Sequence, residues 1–294
     1  SLVGRLLREQ LDDDEWLEVL DVLADLSERS LVVAGPDGRY RLLQTVRSFA
    51  LSQPGDPEVG LRHCRFYAAM EYRDESQEAG IAVLRREQSN LRAAHDRALE
   101  HADADRAARL ALTRGVLISA HGPFAAGVAM LEQTLTLSHS PQHHAALLLR
   151  LGHLQMIMGR AETAAALMAD ARERFVALGD VRGEGSCHLW LGALQARQRQ
   201  YSEARASLEI AREQLARCGE STRLAKTHQL LGSLYTTQGL TALAETTLRE
   251  GLRHSREVGI VHVEGNSLEG LGIVYSYRGQ PAVSYTHLTL PTSG

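Results

Sequence analysis

Lysine is almost missing from this chain. Among 294 residues, 32 are Lys or Arg, and Lys226 is the single lysine. The arginine bias reads as the codon usage of a GC-rich bacterial genome and carries no mechanism. Aromatics are scarce at 5% while Ala and Leu dominate, which favours helix over sheet. Cysteine occurs three times, at Cys64, Cys187 and Cys218, widely spaced and with no Cys-x-x-Cys. That set fits buried thiols in a reducing cytosol. No secretory leader and no apolar run of 18 residues occurs, so a cytoplasmic location without a membrane span is expected. The net charge of −4 advertises no nucleic-acid surface.

Catalytic signatures are also missing. No Gly-x-x-x-x-Gly-Lys-Ser/Thr is present, and the lone Lys226 stands in no such loop. The stretch Gly265–Gly270 has the wrong spacing for a nucleophile elbow. Gly183-Glu184-Gly185 lacks the third glycine of a dinucleotide fingerprint. His139, His143 and His144 flank Pro141 and read as solvated histidines of an inter-helix loop, since a metal site needs more ligands. His188 and His228 share a repeat position near the start of a first helix, where packing or exposure explains them. The chain is therefore expected to be no enzyme, with no cofactor or metal of its own.

What is present is a ladder of glycines. Gly152, Gly192, Gly232 and Gly272 stand 40 residues apart, each after a leucine. Gly179, Gly219 and Gly259 keep the same step, as do Gly159, Gly239 and Gly279, with Arg199 breaking the third column. Such a period marks a stacked repeat array. Twelve residues after the first column stand Ala164, Ala204 and Ala244; sixteen after it, Met168, Leu208 and Leu248; nineteen after it, Ala171, Ala211 and Gly251. Steps of three and four place these on one helical face. Each block reads as two helices with a tight turn at the third column.

A glycine inside a helix costs about 1 kcal/mol relative to alanine. Recurrence at one phase implies a compensating close approach of the paired helices, with Ala164, Ala204 and Ala244 making room. The Gly179 column reads instead as helix C-termini. A fainter block is expected around Gly115, Gly122 and Leu131.

The Leu-Gly pair with its small, large and small successors resembles the tetratricopeptide repeat. The match departs from that family in its period, 40 instead of the usual ~34. Val176, Ala216 and Arg256 also stand where the family usually has proline.

The first half is different. Acids at 12–15 precede Trp16, Val19, Leu20, Leu23 and Leu26, as in an amphipathic helix whose dipole favours acids at its start. Two short β-prone runs, 30–34 and 39–43, flank Gly-Pro-Asp-Gly at 35–38 and read as a hairpin. A helix through Val46, Phe49 and Leu51 follows, then a Pro-Gly-Asp-Pro linker at 54–57. Helix, hairpin, helix is the back end of a winged-helix domain. Residues 1–50 hold ten acids and six arginines, so DNA contact by this wing is not expected.

Leu-Ser-Glu-Arg-Ser-Leu-Val (26–32), the run 38–50, Arg-His-Cys-Arg-Phe-Tyr (62–67) and the run 87–99 occur in that order. Together they resemble the post-ATPase region of bacterial STAND signal-transduction ATPases, among them LuxR-like transcriptional regulators. That resemblance implies a nucleotide-binding core with ATP or ADP upstream of Ser1, autoinhibition, and partner or inducer sensing by the repeats. Two alternatives stay open: the same scaffold fused to a nucleotide cyclase or kinase, or a plain interaction scaffold.

The expected architecture is mainly α. It runs from a winged-helix segment (1–53) through a helical linker region (58–107) to an α-solenoid of tetratricopeptide-like hairpins (108–281). The chain starts without Met and reads as a piece of a longer protein. Residues 282–294 resemble a translated sequencing-library adapter and are expected to be a non-native tail, a degenerate capping helix being the rival. First helices should line a concave face. Spacing puts His153, Arg197, Lys226, Gln229, Asn266, Glu269 and Tyr277 on or near it, as candidates for contact with a protein, peptide or inducer.

Overall fold

The computed structural model describes residues 13–35, 40–52, 57–70 and 78–279. Residues 36–38 of the hairpin turn, 54–56 of the linker and the whole tail from 282 lie outside the described residues. Among those described are 14 helices and one two-stranded hairpin. Contacts divide the chain into two compact units, 1–59 and 60–294.

In the first unit, α1 (Asp13–Glu28) leads into β1 (Val32–Ala34) and β2 (Tyr40–Leu42), and α2 (Gln44–Ser52) follows. The strands are antiparallel, pairing Val32 with Leu42 and Ala34 with Tyr40. Ser30 takes a left-handed φ of 56°, which stops α1 and lets Leu31 N–H return to the Leu26 carbonyl at 2.9 Å.

Helix α3 (Pro57–Ala69) carries the chain into the second unit. There α4 (Glu78–Arg86) and α5 (Gln88–Glu100) pack with α3 around Cys64, Tyr67, Leu84 and Leu91. Next come α6 (Ala104–His121) and α7 (Phe124–Leu135), the hairpin expected near Gly115 and Gly122.

The regular array begins at α8 (Pro141–Ile157) and continues through α9 (Ala161–Ala177), α10 (Val181–Arg197) and α11 (Tyr201–Arg217). It closes with α12 (Ser221–Thr237), α13 (Thr241–Val258) and α14 (Val261–Tyr277). Most are 17 residues long and joined by three-residue connections, the last connection having two residues. The 40-residue step is thus spent almost wholly on helix, which is where the length beyond the family's usual period goes.

Each connection solves the same problem, the unpaired carbonyls of a helix end. After α9, Asp180 N–H returns to the Phe175 carbonyl at 2.9 Å and Gly179 N–H to Val176 at 3.0 Å. That Schellman pair needs a left-handed residue between them, and Gly179 supplies it with φ 68°. Asp180 then caps α10, its side chain accepting from Gly183 N–H at 2.9 Å. One residue therefore closes a helix with its backbone and opens the next with its side chain.

Within each hairpin the first-column glycine lies under the large residue sixteen positions on. A β-carbon on Gly152 would stand 3.0 Å from Met168 Cγ and 3.3 Å from the Ala164 carbonyl oxygen. Met168, Leu208 and Leu248 are fully buried, as are Ala164, Ala204 and Ala244. Successive first helices, α8, α10, α12 and α14, also touch one another.

Of the histidines around Pro141, His139 lies in the connection between α7 and α8, while His143 and His144 do not lie in a loop. Pro141 is the first residue of α8, capped by Ser140, and His143 and His144 lie in its first turn. His143 Nδ1 meets Asp105 Oδ1 at 2.7 Å, and His139 faces the carbonyls of Ala104 and Thr134. A proline needs no donor at a helix start, so it opens the helix. His188 and His228 likewise lie mid-helix, in α10 and α12, half-buried instead of near a helix start.

Candidate functional groove

The inner helices of the second unit enclose a groove of about 1430 Å³. α10 and α12 form its middle, α4 with the ends of α6 and α8 one side, and α14 with the end of α13 another. Helical periodicity explains why these elements present mixed chemistry there. Small and large apolar residues of each first helix face its own second helix. The remaining stripe faces the groove.

Its apolar wall holds Met156, Ile157, Leu189, Trp190, Leu230 and Val263. The indole of Trp190 stacks on the imidazole of His153, with ring centroids 3.8 Å apart and 26° between planes. Both rings also line a smaller pocket of about 340 Å³ beyond them. The pair is a shared wall between two cavities.

The polar wall is strongly basic. Arg85, Arg182, Arg197, Arg223 and Lys226 face the groove against one carboxylate, Glu220. Glu220 is already engaged: Arg182 Nε lies 2.6 Å from one oxygen and Arg223 Nη1 3.0 Å from the other. Lys226 Nζ donates to Gln229 Oε1 at 2.9 Å, and Arg197 Nη1 to the Met156 carbonyl at 3.4 Å. Among the described residues neither cation has a carboxylate partner. Burial, and then the Arg197 guanidinium, hold the Lys226 ammonium below its usual basicity. His262, beside it, is lowered by burial and then by Lys226.

Of the seven residues expected on the inner face, the groove gathers His153, Arg197 and Lys226. Gln229 is buried behind Lys226, donating to Ser233 Oγ at 3.1 Å. Asn266, Glu269 and Tyr277 are exposed and do not line the groove. Trp190, Arg182, Arg223, Glu220 and His262 line it without having been singled out from the sequence. A signal did exist: Gln142, Arg182, Thr222 and His262 form one more 40-residue column, polar throughout. Trp190 had none, since its column holds Arg150, Leu230 and Gly270.

No helix among the described residues is long and apolar enough to cross a membrane.

No protein-family model matches the sequence, and no curated protein matches it either. Solved structures do share its shape. BtubC from P. vanneervenii is 20% identical, with 72% of this chain and 87% of that one aligned at a TM-score of 0.56. Aspartyl phosphate phosphatase F from Bacillus subtilis is 12% identical, with 96% and 84% aligned at 0.57. A kinesin light chain protein with TPR-like repeats from Podosopora anserina is 16% identical, covering 61% of this chain and 90% of its own, at 0.48. At these identities the likeness is one of fold; the regular array of paired helices makes the second unit an α-solenoid of tetratricopeptide-like helical hairpins.

Proposed function

We propose that the second unit is a protein-interaction scaffold whose inner groove receives a peptide segment of a partner. The observation that carries this is the size and lining of the groove. At about 1430 Å³ it exceeds the ~300–1,000 Å³ of ordinary small-molecule pockets. Trp190 and the basic side chains supply the aromatic and arginine groups that dominate binding energy at protein interfaces. The reading assigns the chain no reaction of its own, and it favours a cytoplasmic setting.

A finer reading is that this scaffold serves a STAND-type regulator, sensing a partner or inducer for an ATPase encoded upstream. The order of the four N-terminal motifs and the helix–hairpin–helix of the first unit support it. A phosphate-binding loop in the upstream gene sequence is its test, and an upstream region lacking any ATPase would leave the plain scaffold.

Hydrogen exchange on the full chain tests the scaffold reading. A peptide selected for binding should protect α10 and α12 and change the emission of Trp190. Protection confined to the outer helices α9, α11 and α13 would overturn it.

A further inference from the structure

The basic wall is out of keeping with the rest of the molecule. The chain as a whole carries −4, yet among the described residues the groove presents five cationic side chains against one carboxylate. That carboxylate, Glu220, already bridges Arg182 and Arg223. Among the described residues Lys226 and Arg197 have only neutral oxygens as partners, those of Gln229 and the Met156 backbone. Holding the partly buried Lys226 charge beside the exposed Arg197 without a counter-charge is unfavourable, and a carboxylate arriving between them would relieve it. No other lysine exists in the sequence. The single one stands in this groove.

We propose that the groove anchors an acidic side chain of its peptide partner on Lys226 and Arg197, with an apolar neighbour of that residue seated on Trp190. Among the described residues the charged groups lining the groove agree with this, Arg85 of α4 included. Arg223 and Arg182 come from α12 and α10, and His262 from α14, while Glu220 is neutralised in place. The inference rests on the peptide-groove reading above and adds the chemistry of the occupant to it. Neither cation alone makes the site; the lining Trp190 and the unpaired pair together do.

The test uses the 294-residue chain and an array of N-acetylated, C-amidated dodecapeptides, so that only side-chain carboxylates are offered. Bound peptides should be enriched in Asp or Glu beside an apolar or aromatic residue. Lys226→Gln and Arg197→Gln should each weaken a selected peptide about 10-fold or more, and Lys226→Arg should restore part of it. Acylation of Lys226 by an amine-reactive reagent, followed by mass spectrometry, should be blocked by the same peptide. Melting of Lys226→Gln serves as the folding control, and its midpoint should not fall. Neutral or basic peptides whose affinity ignores Lys226→Gln would overturn the acidic anchor while leaving the interaction scaffold standing. No bound peptide at all would overturn both. Protection of Lys226 by citrate or inorganic phosphate with no peptide binding would also overturn it, assigning the groove to a small anion.

Discussion

The side chain of Leu208 occupies the space that any side chain on Gly192 would need. A β-carbon built there stands 2.6 Å from Leu208 Cγ and 3.2 Å from the Ala204 carbonyl oxygen. The glycine lets two helices approach closely enough for one fully buried leucine to fill the seam.

Gly192→Ala therefore sets two effects against each other. Alanine gains about 1 kcal/mol in helix propensity. Overpacking against Leu208 costs about 1–3 kcal/mol, and the Ala204 carbonyl leaves no retreat on the other side. Net destabilisation is expected, with a lower urea midpoint, and Gly192→Leu should be worse. Combined with Leu208→Ala, the loss should be smaller than the sum of the single changes. An unchanged midpoint in Gly192→Ala would mean the seam is looser than described.

Gly265 is the counter-example. It lies within α14, and a β-carbon there meets nothing within 4 Å. Gly265→Ala should stabilise the chain by about 0.5–1 kcal/mol, since only the helix-propensity gain remains. Thermal melts of the two alanine variants should move in opposite directions.

Arg199 breaks the glycine column yet keeps its conformation, with a φ of 63° beside values of 68–78° at the glycines of the same connections. The left-handed state costs an L-residue about 1–2 kcal/mol. Glycine removes that cost but loses more backbone entropy on folding, about 0.5–1 kcal/mol. Arg199→Gly should raise stability by about 0.5–1 kcal/mol in a denaturant titration. A drop in stability would show that the arginine side chain makes a contact worth more than the strain.

His95 is buried between α5, α6 and α7. Arg114 donates to its Nδ1 at 2.8 Å, so the proton sits on Nε2, which donates to Thr134 Oγ1 at 3.0 Å. Thr134 passes its own hydrogen to the Met130 carbonyl at 2.7 Å. Burial, and then Arg114, lower His95 from 6.5 to about 3. His228, stacked on His254, is lowered to about 4 by burial and then by His254. Below pH 6.5 the unfolded chain takes up protons that the folded one refuses. Stability from these groups is full above that pH and is lost as pH falls toward 4, at up to about 1.4 kcal/mol per pH unit for each. His95→Gln should flatten the pH dependence of the urea midpoint between pH 6.5 and 4, even where it lowers the midpoint itself. An unchanged slope would place the proton uptake elsewhere.

The repeat architecture was legible because its determinants are local and periodic. Ala164, Met168 and Ala171 stand on one helical face by spacing alone, and most of the left-handed turns announce themselves as glycines. Arg199 was legible only as a gap in a column; that it holds the same φ as its glycine neighbours depends on helix ends that demand a turn there whatever residue is supplied. Pro141 misled the reading of His143 and His144, since a proline that opens a helix and one that breaks a loop look alike in one dimension.

Sequence alone determined the period and the pairing of helices, because a face of a helix is a matter of counting; the same counting offered seven inner-face candidates, of which only His153, Arg197 and Lys226 line the groove. The groove was decided by the tertiary structure. Trp190 meets His153, Glu220 joins Arg182 to Arg223, and Arg197 comes beside Lys226 across three different helices. Those meetings depend on the angle at which each hairpin stacks on the last, which is set by packing in the seams and is written in no single repeat.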